Sequence, residues 1–277
     1  MNRDSVKEMF NKIGARVTIR KGVSNRVVNG LRINVAEDSK GEHFTMTIHP
    51  SIEESDVTIH LLDYDKHLRQ MLLFVKFPNI VSNGWLKPVT IDRKKPFDTA
   101  RLLVGHDEMH WFVAGVTRSM TVKQAFESLR PDAVTVAMKK SGEKDKNWRK
   151  RKNKGFIRQG EWFFVPVHFV EGSQTIIHKN EPISRPTGGK PHFVEEIVRF
   201  GGENVYVNLK DQTILSPDQF KKIPTKERIF YGQRVMGATV LGRGKVKHPD
   251  HHTVELKSWH EIHLSREEGV STNAFID

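Results

Sequence analysis

The stretch GKVKHPDHHTVELKSWHEIHL, residues 244–264, decides how the rest of the chain is interpreted. Two β-prone runs flank Pro249 and Asp250, a pair typical of a turn, so the pattern predicts two strands and a connection between them. Side chains alternate between the two faces of a strand. Val254, Leu256, Ile262 and Leu264 therefore share one face of the second strand with His260, which falls among apolar residues.

Similar β-prone runs separated by turn residues recur along the whole chain. Asn29-Gly30 predicts a hairpin because both residues tolerate positive φ. Capping and periodicity predict short helices over residues 121–129 and over 191–200, the latter with Pro191 in its first turn. Residues 133–138 are predicted to form a strand. Strands outnumber helices without a regular βα alternation, which predicts a β-rich α+β fold of mostly antiparallel strands with a few short helices.

A turn-rich stretch beginning at Val81, VSNGWLKPVTIDRKKPFD, is a candidate linker. The predicted division is a small N-terminal α+β meander over residues 1–95 and a larger C-terminal α+β domain over 96–277. The second domain would contain a basic loop at 139–154.

Composition restricts the class of protein. Hydrophobic residues make up 37% of the 277 residues, enough for a packed core. No cysteine is present, which excludes disulfides, a thiol nucleophile and any Cys-ligated metal site. The apolar runs are too short to span a bilayer, and the charged N-terminus lacks the apolar core of a signal peptide. An intracellular, cytoplasmic protein is expected, nuclear in a eukaryote, with no membrane partner.

Positive charge is concentrated in one segment. The chain has a formal net charge of +12, and residues 139–154, KKSGEKDKNWRKRKNK, contain nine Lys or Arg and two acidic residues, or +7. A clustered patch creates a directional field that a dispersed excess does not. We call residues 139–154 the basic segment.

The basic segment and the strand predicted after it suit RNA or single-stranded DNA. Lysine and arginine bind phosphates, and aromatic side chains such as Trp148, Trp162 and Phe164 can stack on unpaired bases. A solvated loop and a core strand are the alternatives. The candidate nucleic-acid-binding residues are Trp148, Arg149, Lys150, Arg151, Lys152, Lys154, Arg158, Trp162, Lys190, Arg243, Lys245 and Lys247. Lys190 follows two glycines and precedes the predicted 191–200 helix, a setting that favours anion binding.

Histidines are concentrated in the 244–264 stretch. Neutral imidazole binds transition metals and acts as a general base near neutral pH. His248, His251 and His252 are candidate ligands of a divalent metal ion, and His248, His252 and His260 are candidate catalytic groups. Exposed turn histidines and one hydrogen-bonded core histidine are the alternative.

A second candidate metal group lies in GHDEMH, residues 105–110. The spacing resembles the zinc motif H-E-x-x-H, but the β-prone residues that follow leave no room for the helix the motif needs. In an extended chain, His106, Glu108 and His110 would share one face. A solvated turn leading into a strand is the alternative.

Three functions remain open from the sequence. The leading one is a nucleic-acid-binding protein that recognises RNA or single-stranded DNA. The alternative is a histidine- or metal-dependent nuclease or phosphoesterase. The third is a non-catalytic scaffold that docks on an acidic protein or ribonucleoprotein partner.

Overall fold

The structure is a computed structural model that describes residues 1–22, 30–81, 90–147, 149–185, 190–211 and 213–267. Antiparallel strands dominate, with a few short helices, which confirms the predicted β-rich α+β class. No helix in these ranges is long and apolar enough to cross a membrane. The helices are α1 (Arg3–Asn11), α2 (Val122–Ser128), α3 (Asp132–Lys140), α4 (Pro217–Lys222) and α5 (Thr225–Arg228).

The strands are β1 (Val17–Lys21), β2 (Leu31–Asp38), β3 (Gly41–Ile48), β4 (Thr58–Asp65), β5 (Gln70–Pro78), β6 (Ile80–Val81), β7 (Thr90–Ile91), β8 (Phe97–Asp107), β9 (His110–Gly115), β10 (Ile157–Gln159), β11 (Trp162–Pro166), β12 (His178–Ile183), β13 (His192–Phe200), β14 (Glu203–Asn208), β15 (Ile214–Leu215), β16 (Tyr231–Met236), β17 (Thr239–His248) and β18 (His251–Leu264). All pairings are antiparallel among these strands except β1 with β3.

The chain divides in sequence between Leu129 and Arg130 into two compact units, and Arg266 and Glu267 belong to the first. The predicted boundary at residue 95 falls between β7 and β8, inside the first unit. The reason is pairing: β8 is hydrogen-bonded to β5 along its length, from Pro78 opposite Phe97 to Gln70 opposite Gly105. The described residues on either side of the turn-rich stretch therefore belong to one unit.

The first unit is built from two larger sheets, in the orders β1-β3-β2 and β4-β5-β8-β9. Its core includes Phe10 of α1, Phe44 of β3 and Val104 of β8. Gly30 has φ +79°, a conformation that glycine adopts freely, as the predicted hairpin requires. Asn29 and the strand predicted before it lie outside the described residues.

The second unit is centred on a six-stranded sheet with the order β10-β11-β18-β17-β13-β12. The predicted strand pair of the opening stretch forms β17 and β18. Leu256 and Ile262 of β18 lie in its main core with Trp162 and Phe164 of β11. A smaller sheet, β15-β14-β16, has α4 against it.

Two predicted elements differ in the structure: one predicted strand is a helix, and one predicted helix is a strand. Residues 133–138 belong to helix α3, because Val134 and Met138, four residues apart, lie on one helical face and are both buried. The predicted 191–200 helix is strand β13. It pairs with β12 on one side and β17 on the other, and such pairing outweighs local propensity.

Candidate functional site

Strand register brings three histidines into one row. Phe193 of β13 lies opposite Lys247 of β17, so the next antiparallel position places His192 beside His248. His248 in turn lies opposite His251 at the end of the β17–β18 hairpin. The three side chains therefore come from three adjacent strands. We call His192, His248 and His251 the histidine cluster.

The three imidazole rings of the histidine cluster are in contact. Ring centroids are 4.1 Å apart for His192 and His248, 4.6 Å for His248 and His251, and 5.5 Å for His192 and His251. One ring nitrogen from each lies within 4.8 Å of the others. Within the described ranges, no other three His, Cys, Asp or Glu side chains bring ligand atoms this close together.

His192 is the most buried member of the cluster. Its exposure is 1%, and neither ring nitrogen has a hydrogen-bond partner among the described residues. The indole ring of Trp162 meets its ring edge to face at 6.3 Å between centroids, and the indole N–H also lacks a described partner. Buried polar groups are nearly always hydrogen-bonded, so an imidazole with two unused nitrogens requires an explanation.

Two hydrogen bonds to the backbone hold the imidazole ring of His248. Its Nδ1 accepts from the backbone N–H of Asp250 at 3.1 Å, so in this tautomer Nε2 donates to the backbone oxygen of Lys190 at 3.2 Å. The Lys190 ammonium is 2.7 Å from the Asp250 carboxylate. These contacts fix the orientation of the His248 ring.

The turn between β10 and β11 closes over His251. Gln159 Nε2 donates to the backbone oxygens of His252 and Val246, at 2.7 and 3.1 Å, which fixes the turn against the hairpin. Gly160 follows with φ +55°, and a Cβ on it would lie 2.6 Å from Nε2 of His251. Only glycine leaves room for the ring at this point.

Burial disfavours the protonated form of two members of the cluster. Loss of solvation is the main cause that lowers the pKa of His192 to about 3, with smaller contributions from His248, His251 and Arg185. Burial also lowers the pKa of His248. A neutral imidazole keeps the lone pair that a metal ion or a proton would take.

The other two histidines predicted in this stretch do not join the cluster. His252 follows His251, and strand alternation directs its exposed side chain to the opposite face. His260 is buried, and its Nδ1 lies 2.7 Å from the backbone oxygen of Ser258. This arrangement is the hydrogen-bonded core histidine that the alternative reading described.

His260 leads to a prediction for acid stability. Burial lowers its pKa, so the unfolded state binds more protons below the ordinary value of 6.5. The free energy of unfolding should therefore fall as pH falls from 7.5 to 5.5. Urea denaturation at several pH values measures this fall, which His260→Phe should make shallower. An unchanged slope in the variant would show that His260 does not contribute.

GHDEMH forms the hairpin between β8 and β9. Glu108 has φ +53° and turns the chain, so Asp107 pairs with His110 and His106 pairs with Trp111. The expected single strand face carrying His106, Glu108 and His110 is therefore not formed. His110 Nδ1 is 2.6 Å from a carboxylate oxygen of Glu42, and His106 packs edge to face on Trp111.

The basic segment begins in the last turn of α3 and ends shortly before β10. Eight of its nine basic residues are exposed, and none of the eight forms a salt bridge to another described residue. They are Lys139, Lys140, Lys144, Lys146, Arg149, Lys150, Lys152 and Lys154. Arg151 is half-buried, and Trp148 lies outside the described residues.

The aromatic strand is core and not a binding face. Trp162 and Phe164 are fully buried, so neither can stack on a base in this structure. Arg158 is half-buried, and its Nε donates to the backbone oxygen of Gly160. The predicted stacking surface is corrected to a core strand.

The remaining residues predicted to bind nucleic acid lie in different environments. Arg243 is held between the carboxylates of Glu196 and Glu171, at 2.6 and 2.7 Å, so its charge is largely compensated. Lys245 and Lys247 are exposed on β17. The glycines before Lys190 lie outside the described residues, and because a strand follows, the expected helix N-terminus is not formed.

Sequence reasoning identified His248 and His251 but missed His192 and Gly160. The sequence pattern predicts a helix at His192, and its place beside His248 depends on the pairing of β13 with β17, two strands that are distant in sequence. A strand assignment for residues 192–200 would have been the signal. No protein-family model, curated protein or solved structure matches this chain.

Proposed function

We propose that the protein binds nucleic acid, RNA or single-stranded DNA, through the phosphate backbone and with the basic segment as its main contact. The observation that carries this proposal is the set of eight exposed cations without salt bridges to described residues. Such cations can neutralise phosphates and release counterions. A cation already paired with a carboxylate, as Arg243 is, would have to break that pair first.

Hydrogen bonds support the path of the basic segment. The side-chain oxygen of Asn153 accepts from the backbone N–H groups of Gly155 and Phe156 at 2.8 and 3.0 Å. Glu143 accepts from the backbone N–H of Lys154 and from the Asn147 side chain. The one described acidic side chain of the segment is thus used to hold the backbone.

Close packing adds to these hydrogen bonds. Gly155 approaches helix α3 so closely that a Cβ on it would lie 2.9 Å from the Met138 backbone. Behind it, Phe156 packs in a small core with Val134 and Phe163. A loop held in this way presents its cations in a defined arrangement, which lowers the entropy lost on binding.

Charge reversal in the basic segment tests the proposal. The triple variant Arg149→Glu, Lys150→Glu, Lys152→Glu should bind single-stranded RNA and DNA at least about tenfold more weakly at 0.1 M salt, and the slope of log K against log salt should become shallower by about 2. The measurement is fluorescence anisotropy across salt, with and without EDTA. Running the product on a gel would reveal cleavage, which would favour a nuclease.

A matched control carries the same change in net charge elsewhere in the second unit. Lys221, Lys222 and Lys226 are exposed on α4 and α5, and their reversal to Glu should leave affinity close to that of the natural chain. Equal losses in both variants would show that net charge alone drives binding. Absence of salt-sensitive binding by the natural chain would refute the proposal and favour an acidic protein partner for the basic segment.

A further inference from the structure

The histidine cluster has the properties of a ligand site rather than of a core. A core histidine in the same unit, His260, is hydrogen-bonded to a backbone carbonyl. His192 is more deeply buried, and neither of its nitrogens has a described partner. Its ring lies almost parallel to that of His248, at 24°, with centroids 4.1 Å apart. The unused nitrogens of His192 are thus next to a second imidazole and near a third.

We propose that His192, His248 and His251 bind a divalent transition-metal ion of the Zn²⁺ class through three imidazole nitrogens. The donor set selects the metal. Nitrogen ligands without sulfur or a carboxylate cage favour Zn²⁺, Co²⁺, Ni²⁺ or Cu²⁺ over Mg²⁺ and Ca²⁺, which prefer oxygen. Three protein ligands leave a fourth tetrahedral position for water or a substrate, as in zinc sites that take part in reactions.

The surroundings of the cluster match what such a site requires. A histidine ligand commonly donates its second N–H to a backbone carbonyl, which fixes the ring. His248 has this bond to Lys190, and metal binding at its Nδ1 would replace the contact from the Asp250 N–H. His251 is backed by Gly160, where any side chain would collide with the ring.

The surroundings of two of the three rings disfavour their protonated forms. Three protonated imidazoles at these distances would repel one another, and burial lowers the pKa values of His192 and His248. Asp250 and Arg185 are the other charged groups whose fields reach His192, with opposite effects on it.

Zinc titration of the full chain, without an affinity tag and after EDTA treatment and buffer exchange, tests the site. Isothermal calorimetry with ZnCl₂ at pH 7.5 should show one strong site per chain. His192→Phe and His248→Ala should each weaken that site by at least about 100-fold. Circular dichroism establishes that each variant is folded. With Co²⁺ in place of Zn²⁺, an intense visible band should report tetrahedral coordination in the natural chain and be absent from His192→Phe and His248→Ala.

Two controls separate this site from other histidines. His252→Ala removes the neighbouring imidazole on the opposite strand face and should leave zinc affinity unchanged. The double variant His106→Ala, His110→Ala removes the histidines of the β8–β9 hairpin and should also leave it unchanged. Loss of zinc binding in either control but not in His192→Phe would overturn the proposal. So would the absence of any strong zinc site in the natural chain.

Discussion

Replacing Trp162 by alanine should lower the free energy of unfolding of the second unit by about 3–5 kcal/mol, the range for removing a large aromatic side chain from a core. Trp162 is fully buried and shares a core with Phe164 of its own strand, Val194 of β13, and Leu256 and Ile262 of β18. Removing the indole leaves a cavity that the surrounding strands can fill only in part. Urea denaturation of the natural and variant chains measures the difference.

A second substitution at Trp162 distinguishes a role in the core from a role in nucleic-acid binding. Trp162→Phe keeps an aromatic ring in the core and should remain folded, with a smaller loss of stability. Because Trp162 has no exposed surface, this variant should bind single-stranded RNA and DNA as tightly as the natural chain does. A clear loss of affinity in folded Trp162→Phe would show that the strand opens to expose the indole, and would restore the stacking role.

The fold class can be predicted from the sequence because the turns and helix caps that indicate it each involve only a few neighbouring residues. The β17–β18 pair follows from two β-prone runs around Pro249 and Asp250, and α2 follows from its Thr121 cap, whose side chain accepts from the Gln124 N–H. Each signal lies within a few residues. The abundance of such strand signals and the few caps together indicated a β-rich α+β chain.

Elements whose state depends on distant partners were predicted less well. The sequence of β13, HFVEEIVRF, has helix-forming residues after a proline, yet its backbone groups are paired with β12 and β17. Conversely, the β-branched run of α3 forms a helix because Val134 and Met138 pack on Phe156 and Phe163. In both segments, tertiary contacts outweigh a propensity difference of at most about 1 kcal/mol per residue.

The candidate site shows the same division between local and distant information. His248 and His251 were found because they flank one turn, and the basic segment because charge needs no fold to be recognised. His192 could not be found without the register of β13 on β17. The burial of Trp162 likewise depends on the sheet order, since an exposed aromatic strand and a core strand have the same local pattern.

His192 should show the opposite response to substitution from an ordinary buried polar residue. In the metal-free protein, His192→Phe should raise the free energy of unfolding by about 1–3 kcal/mol, because it replaces two nitrogens without described partners by an apolar ring of similar shape. A residue that is retained for binding is expected to lower the stability of the fold. Urea denaturation in EDTA measures this change.

The same substitution at His260 is the matched control. His260 is also buried, but its Nδ1 is bonded to the Ser258 oxygen, so His260→Phe leaves that carbonyl without its partner and should lower stability by about 1–3 kcal/mol. Zinc adds a second contrast. At a free concentration 100 times the dissociation constant, it should stabilise the natural chain by about 2.7 kcal/mol and His192→Phe by almost nothing. If His192→Phe instead destabilises the metal-free protein as His260→Phe does, the nitrogens of His192 are satisfied without a metal, and the observation behind the metal site is lost.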